Sequence, residues 1–151
     1  MSFLAHYDPR AVIVSIGSDK VSSDVVGFVD GTFVDVERSE DAFKKMVGAT
    51  GDIVRTKIND RSGKIVLTLL AASPSNDDLW GLALVDEDSG LDTFVIQIKD
   101  THGTMYVHAH DAWIVKYPKI ERGGKDGATV TWTIDCADLE MRPGSNTSPA
   151  I

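Results

Sequence analysis

Cysteine is almost missing from this 151-residue chain: Cys136 is the only one, so no internal disulfide can form. No apolar run approaches the length of a membrane-spanning helix. The first ten residues, Met1 through Arg10, have neither a basic start nor an apolar signal core. The expectation is a chain made and kept in a cytoplasm. Positive charge is scarce too. The 15 basic residues are outnumbered by 23 acidic ones, leaving a formal net charge of −8. That balance argues against a conventional nucleic-acid binder, whose basic surface must neutralise phosphates. Two accounts of the acidity stand side by side: plain solubility, or an acidic wall past which another polyanion slides without sticking.

What is present reads as one domain over 1–151, with 42% hydrophobic and 25% charged residues, ordinary for a globular chain. A first strand is predicted in Ala11–Gly17. Val25–Val29 and Thr32–Val36 flank Asp30-Gly31, a dipeptide that supplies the positive φ angles of a two-residue turn, which predicts a hairpin. The stretch from Arg38 to Gly51 has mixed charge, weak periodicity and two closing glycines. It suits an ordered loop or a short helical turn, and connections of this length are often functional. A second hairpin is predicted between 52–60 and 64–71 across the polar segment Asn59–Gly63, with Ile65, Leu67 and Leu69 sharing one face.

Ser73–Asp78 is a helix start, with serines to cap it, Pro74 suited to the first helical position, and acids in the first turn. Leu79, Leu82 and Ala83 then form an apolar stripe, with Trp80 and Leu84 at its margins. A third hairpin pairs Thr93–Lys99 with Thr104–His110, and the chain continues through Ala112–Tyr117 to a stop at Pro118. After the turn-rich segment 122–127, Val130, Trp132, Ile134 and Cys136 alternate inward, which makes Cys136 a small buried hydrophobe rather than a reactive thiol. The tail 142–151 is expected to be flexible when unpartnered. Eight or nine strands and one helix give a mainly β fold: a β-barrel or two packed antiparallel sheets with one flanking α-helix.

Chemistry-bearing constellations are thin. His108 and His110 project from the same face of a strand and could pair on a transition metal. The further ligands are only scattered ones such as His102 and Asp111, so a partly packed strand face is the favoured reading. Gly48–Gly51 lacks the Gly-Lys-Ser/Thr of a P-loop and precedes a strand, so its glycines are read as a tight entry into that strand. Asp35, Glu37, Glu40, Asp41 and Asp86–Asp88 include no pair placed for acid/base work. The three tryptophans read as core anchors. No catalytic residue, metal ligand or cofactor is expected.

A longer string of residues resembles a known family. Phe33–Arg38, the segment Lys45–Gly51, Arg55, Thr68-Leu69, the helix start Ser73–Asn76 and the ending Trp132–Met141 resemble the tail tube proteins of contractile-tailed bacteriophages, with a fold similar to the inner tube protein of type VI secretion systems. The resemblance covers about Asp8 to Met141 and its motifs are structural. It implies a virion structural protein whose homohexameric rings stack into a hollow conduit for phage double-stranded DNA. The conduit would lie inside a contractile sheath, and the protein would be assembled in the host cytoplasm. The partners implied are further copies of the chain, the sheath protein, the baseplate and tail terminator proteins, and a tape measure protein passing through the bore with the DNA. Within that picture Phe43, Lys44, Lys45, Met46 and Val47 belong to an inter-ring loop, 39–51, assisted by an N-terminal arm, 1–10, and the tail. Asp35, Glu37, Arg55 and Lys57 are the candidates for the lumen face. The alternatives are a baseplate adaptor or tube-initiating ring protein, and a small metal-binding barrel using His108 and His110.

Overall fold

A computed structural model describes residues 2–18, 22–124 and 127–147. Among the described residues nine strands and one α-helix follow one another: β1 (Val12–Gly17), β2 (Ser22–Val25), β3 (Val34–Arg38), β4 (Phe43–Val47), β5 (Ile53–Lys57), β6 (Gly63–Leu70), α1 (Ser75–Ser89), β7 (Phe94–Asp100), β8 (Tyr106–Lys116) and β9 (Thr129–Arg142). Seven of them form one antiparallel sheet in the order β2-β1-β7-β8-β9-β6-β3, and β4 pairs with β5 alone.

The large sheet is rolled, and chain connectivity requires it. Val25 pairs with Val14 on one outer flank, and Phe28 bridges Leu69 on the other. Laid flat, those flanks would stand six strand spacings apart, roughly 29 Å. Three residues of chain reach only about 10 Å. The segment between β2 and β3 therefore crosses the seam, tied to β6 by Leu70 N–H to the Gly27 carbonyl (2.7 Å) and Thr68 N–H to the Phe33 carbonyl (3.0 Å). Within the roll a single apolar cluster draws on β1, β2, β6, β7, β8, β9 and α1, including Val14, Leu67, Ile96 and Trp132. Cys136 lies in it as expected, and burial raises its thiol pKa above the ordinary value.

Strand alternation survives on β9 from Val130 to Cys136 and then shifts phase, so that Leu139 is the next buried residue. The shift is matched on β8, where Ala109 and Ala112 are both buried and face Leu139 and Cys136. Asp111 between them takes a left-handed φ of 51°, where β8 carries one more residue than its other neighbour β7 (Phe94↔Ala112, then Ile96↔Ala109), a bulge. One irregularity thus re-aims both strands together and keeps their apolar faces on the core.

Two predicted hairpins are not formed. The strands flanking Asp30-Gly31 do not pair with each other; β2 joins β1 and β3 joins β6, so the turn sits at the seam and not at a hairpin tip. Residues 52–60 do not pair with 64–71 either. β5 pairs with β4, in the register Phe43↔Lys57 to Val47↔Ile53, and β6 pairs with β3 and β9. The expected loop 39–51 is accordingly half of a β-ribbon. The polar segment 59–63 misled because it does contain a local turn, Ser62 N–H to the Asp60 carboxylate (2.9 Å), which also holds Asp60 below the usual carboxylate range. It kinks the chain without reversing it.

α1 opens as expected. Pro74 is already helical (φ −65°, ψ −21°), and Ser73 Oγ accepts Ser75 N–H at 3.2 Å. Ser73 Oγ also donates to the Val26 carbonyl, and Ser75 Oγ accepts Val26 N–H at 2.9 Å, so the same serines lock the helix start to the seam. Leu79, Leu82 and Ala83 face the core. Gly90 ends the helix in the left-handed conformation.

Residues 143–147 lie on the turn between β7 and β8, with Thr104 N–H donating to the Ser145 carbonyl (2.9 Å) and Asn146 Nδ2 to the buried Asp100 carboxylate (2.9 Å). His6 N–H in the N-terminal arm donates to the Asn146 carbonyl (3.1 Å), which ties the two termini together. Residue 1 of the arm, residues 148–151 of the tail and residues 125–126 of the 122–127 turn fall outside the described residues.

Candidate assembly surfaces

β3, β4, β5 and β6 are two halves of one long, interrupted β-ribbon. β3 pairs with β6 from Val34↔Leu67 to Arg38↔Gly63, and Ser39 N–H continues the ladder to the Ser62 carbonyl at 3.1 Å. Ile58 N–H bonds the Ala42 carbonyl at 2.9 Å, and β4–β5 then runs to the tip at Gly48–Gly51. Three steps on one side, Ser39 to Ala42, face four on the other, Ile58 to Ser62, so the ribbon shifts register by one residue. The tip is closed by Gly48 N–H to the Asp52 carbonyl (2.7 Å), and Gly51 adopts a φ of 92° that β-branched or bulky residues avoid. The glycines therefore build a turn, as the sequence implies.

Beyond the rolled sheet this arm is bare. All ten residues of β4 and β5 are exposed, Met46 by 67% and Ile53 by 64%. A two-stranded ribbon alone is marginal in water, and a row of exposed Phe43, Met46, Val47, Ile53 and Val54 is what a contact surface presents. Antiparallel pairing puts Phe43, Lys45, Val47, Ile53, Arg55 and Lys57 on one face, with the Arg55 guanidinium 4.2 Å from the Phe43 ring centroid. Lys44 and Met46 point to the other.

The four lumen candidates divide. Asp35 and Glu37 lie together on the exposed side of β3, opposite the half-buried Val34 and Val36. Arg55 and Lys57 lie out on the arm, in the other sheet.

His108 and His110 do come together, stacked with ring centroids 4.1 Å apart, and Tyr106 Oη is 2.9 Å from His108 Nδ1. Across from them on β9 stand Glu140 and Asp138. Asp138 is engaged by Arg61 (2.8 Å), which lowers its carboxyl pKa. Among the described residues no three or more His, Cys, Asp or Glu side chains are grouped to hold a metal ion. His102 sits on the turn after β7, and Asp111 accepts a hydrogen bond from Thr93 Oγ1 (3.3 Å).

Sequence reading overlooked the outward side of α1. Asp77, Trp80, Leu84, Glu87 and Asp88 are exposed there. At 3.6 residues per turn they fall within an arc of about 100°. Trp80 packs on Tyr117 (ring centroids 4.6 Å), and Tyr117 Oη donates to the Glu87 carboxylate, which pushes the phenol pKa up to about 12. The signal was available in the sequence: apolar residues recur at helical spacing on both sides of α1, where an ordinary surface helix has one such side.

Comparison with known proteins places this architecture. Residues 1–144 match the family model described as Bacteriophage PhiTE tail tube protein. Structural protein ORF10 of Pseudomonas phage KPP10 is 29% identical over 152 residues, covering 95% of this chain and 86% of that protein. Among solved structures, a chain of the sheath-tube complex of the extracellular contractile injection system PVC, in its extended state, superposes with a TM-score of 0.60 at 17% identity over 90% of each chain. A chain of the anti-feeding prophage baseplate gives 0.61 at 13% identity, over 94% of this chain and 97% of that one. Those identities carry the fold alone; the family match carries more. The chain is a phage structural protein and belongs to the bacteriophage PhiTE tail tube protein family.

Proposed function

We propose that this chain closes into hexameric rings that stack head to tail as the tube of a contractile phage tail, inside the sheath and between baseplate and terminator. The observation that carries the reading is the bare arm: an apolar, basic ribbon projecting from a rolled sheet that already has its own complete core. A monomer gains nothing from such a ribbon. A repeating assembly does, because heterologous contacts that combine rotation with rise generate a filament. The exposed residues Phe43, Met46 and Val47 make the contact to the next ring, with Lys44 and Lys45 beside them. The outer strands β2 and β3, each paired on one side within the sheet, are the edges at which neighbouring sheets join.

Asp35 and Glu37 are assigned to the bore. Six copies multiply the formal charge of −8 carried by each chain, and an acidic wall repels phosphate, so double-stranded DNA and the tape measure protein pass without adhering. Arg55 and Lys57 would do the opposite in a bore, attracting phosphates; their position on the arm suits subunit contact. The tube is built in the host cytoplasm, and the activity is assembly and not catalysis.

A specialised ring at the baseplate is the competing role, since one structural likeness is to a baseplate chain. Met46→Asp with Val47→Asp tests the reading. Tube growth followed by electron microscopy is expected to stop while circular dichroism stays that of the folded chain. Normal tubes from the variant would overturn the role given to the arm.

A further inference from the structure

We infer that the outward stripe of α1 in one copy is the seat for the β4–β5 arm of the next copy in the stack. The inference rests on the tail tube reading and names the surface that the arm meets.

Two surfaces of the chain are unusual in the same way. α1 buries Leu79, Leu82 and Ala83, yet its opposite side presents Trp80 and Leu84, with Leu91 (86% exposed) just past Gly90. Asp77, Glu87 and Asp88 border that stripe. The arm presents Phe43, Val47 and Ile53 interleaved with Lys45, Arg55 and Lys57. One surface is apolar and acidic, the other apolar and basic. Opposite charges around an apolar centre give a contact both affinity and register, while two arms or two helices facing each other would repel.

Topology puts the two surfaces where a head-to-tail repeat needs them. β6 begins at Gly63, beside the root of the arm, and ends at Leu70, five residues before α1. Its eight residues span about 26 Å. Arm and helix therefore leave opposite ends of the rolled sheet, and stacking one copy on another brings the arm of the first to the helix of the second. The helix end is firmly mounted for this purpose: Trp80 packs against Tyr117 with the rings tilted by 50°, the Tyr117 hydroxyl is bonded to Glu87, and Trp132 Nε1 donates to Asn76 Oδ1 at 2.9 Å. A receiving surface that does not reorganise loses less on binding.

Charge exchange tests it. One variant carries Lys45→Glu and Arg55→Glu, a second Asp77→Lys and Asp88→Lys, and a third all four. Each is checked for folding by circular dichroism and for assembly by sedimentation and electron microscopy over a concentration series. Each double variant is expected to raise the concentration needed for assembly by about tenfold or more, and the fourfold variant to recover most of that loss. A fourfold variant that assembles no better than the poorer double, or a double variant that assembles like wild type, overturns the inference. Failure of the underlying reading looks different: wild-type chain would then form neither rings nor tubes, even on isolated baseplates supplied as nuclei, and the inference would fall with it.

Discussion

Beside the Ser73 and Ser75 contacts with Val26, a part-buried bond between Trp132 and Asn76 helps to attach α1 to the rolled sheet, and removing it has a calculable cost. Trp132 is 1% exposed and its indole N–H donates to Asn76 Oδ1 at 2.9 Å. Asn76 Nδ2 in turn donates to the carbonyls of Leu70 (3.1 Å) and Ala71 (3.3 Å), where β6 hands over to the helix. Trp132→Phe keeps an aromatic ring but loses the donor and part of the buried volume. The lost hydrogen bond is worth about 1 kcal/mol, and the removed ring atoms with the space they leave add roughly 1–2 kcal/mol. The expected destabilisation is about 2–3 kcal/mol, which for a domain of this size lowers Tm by roughly 5–10 °C. Asn76→Ala loses the same bond from the other side and also the two carbonyl contacts. Urea unfolding of both single variants and the double variant gives the coupling energy directly. About 1 kcal/mol is expected. A coupling indistinguishable from zero would refute the claim that this pair helps to fix the helix, and with it the idea of a rigid seat for the arm.

Two further outcomes follow from the packing. A Cβ on Gly63 would overlap the Leu139 side chain and lie 2.9 Å from the Glu37 carbonyl, so Gly63→Ala should cost about 2 kcal/mol or more by the overpacking mechanism, read as a fall in the urea midpoint. Cys136 should stay inert to a thiol reagent until the chain unfolds. Its raised pKa also sets a sign: burial keeps the thiol protonated in the folded state to higher pH than in the unfolded chain, where it ionises near the ordinary thiol value of 9.0. That contribution is complete below pH 9 and is lost as pH rises toward the folded-state pKa. Stability that increased above pH 9 in wild type relative to Cys136→Ser would contradict it.

How far the fold was legible depended on what water imposes on each segment. Val130 to Cys136 and the stripe Leu79, Leu82, Ala83 were read correctly because each has one wet side and one dry side, and burial stamps a period on the sequence. Phe43–Val47 carries no such stamp. Both faces of that strand are exposed in a single chain, so nothing selects alternation, and the segment looked like a loop. Asp30-Gly31 has the chemistry of a tight turn, and Gly31 does take a φ of 115°, but which strands then pair is decided by the rolled sheet and not by the turn. The same holds for 59–63. The arm residues Phe43–Val47 were nevertheless singled out as a contact segment, through resemblance and not through periodicity. The stripe on α1 was passed over because Trp80 and Leu84 were treated as margins of the buried face.

Cryo-electron microscopy of intact tails containing this chain tests the central claim most directly. The account predicts density for the chain repeating along the whole length of the tail, six copies to a ring, with Asp35 and Glu37 on the bore and the arm inserted into the adjacent ring. Density confined to one ring at the baseplate or the neck, or arms that end in solvent, would contradict it.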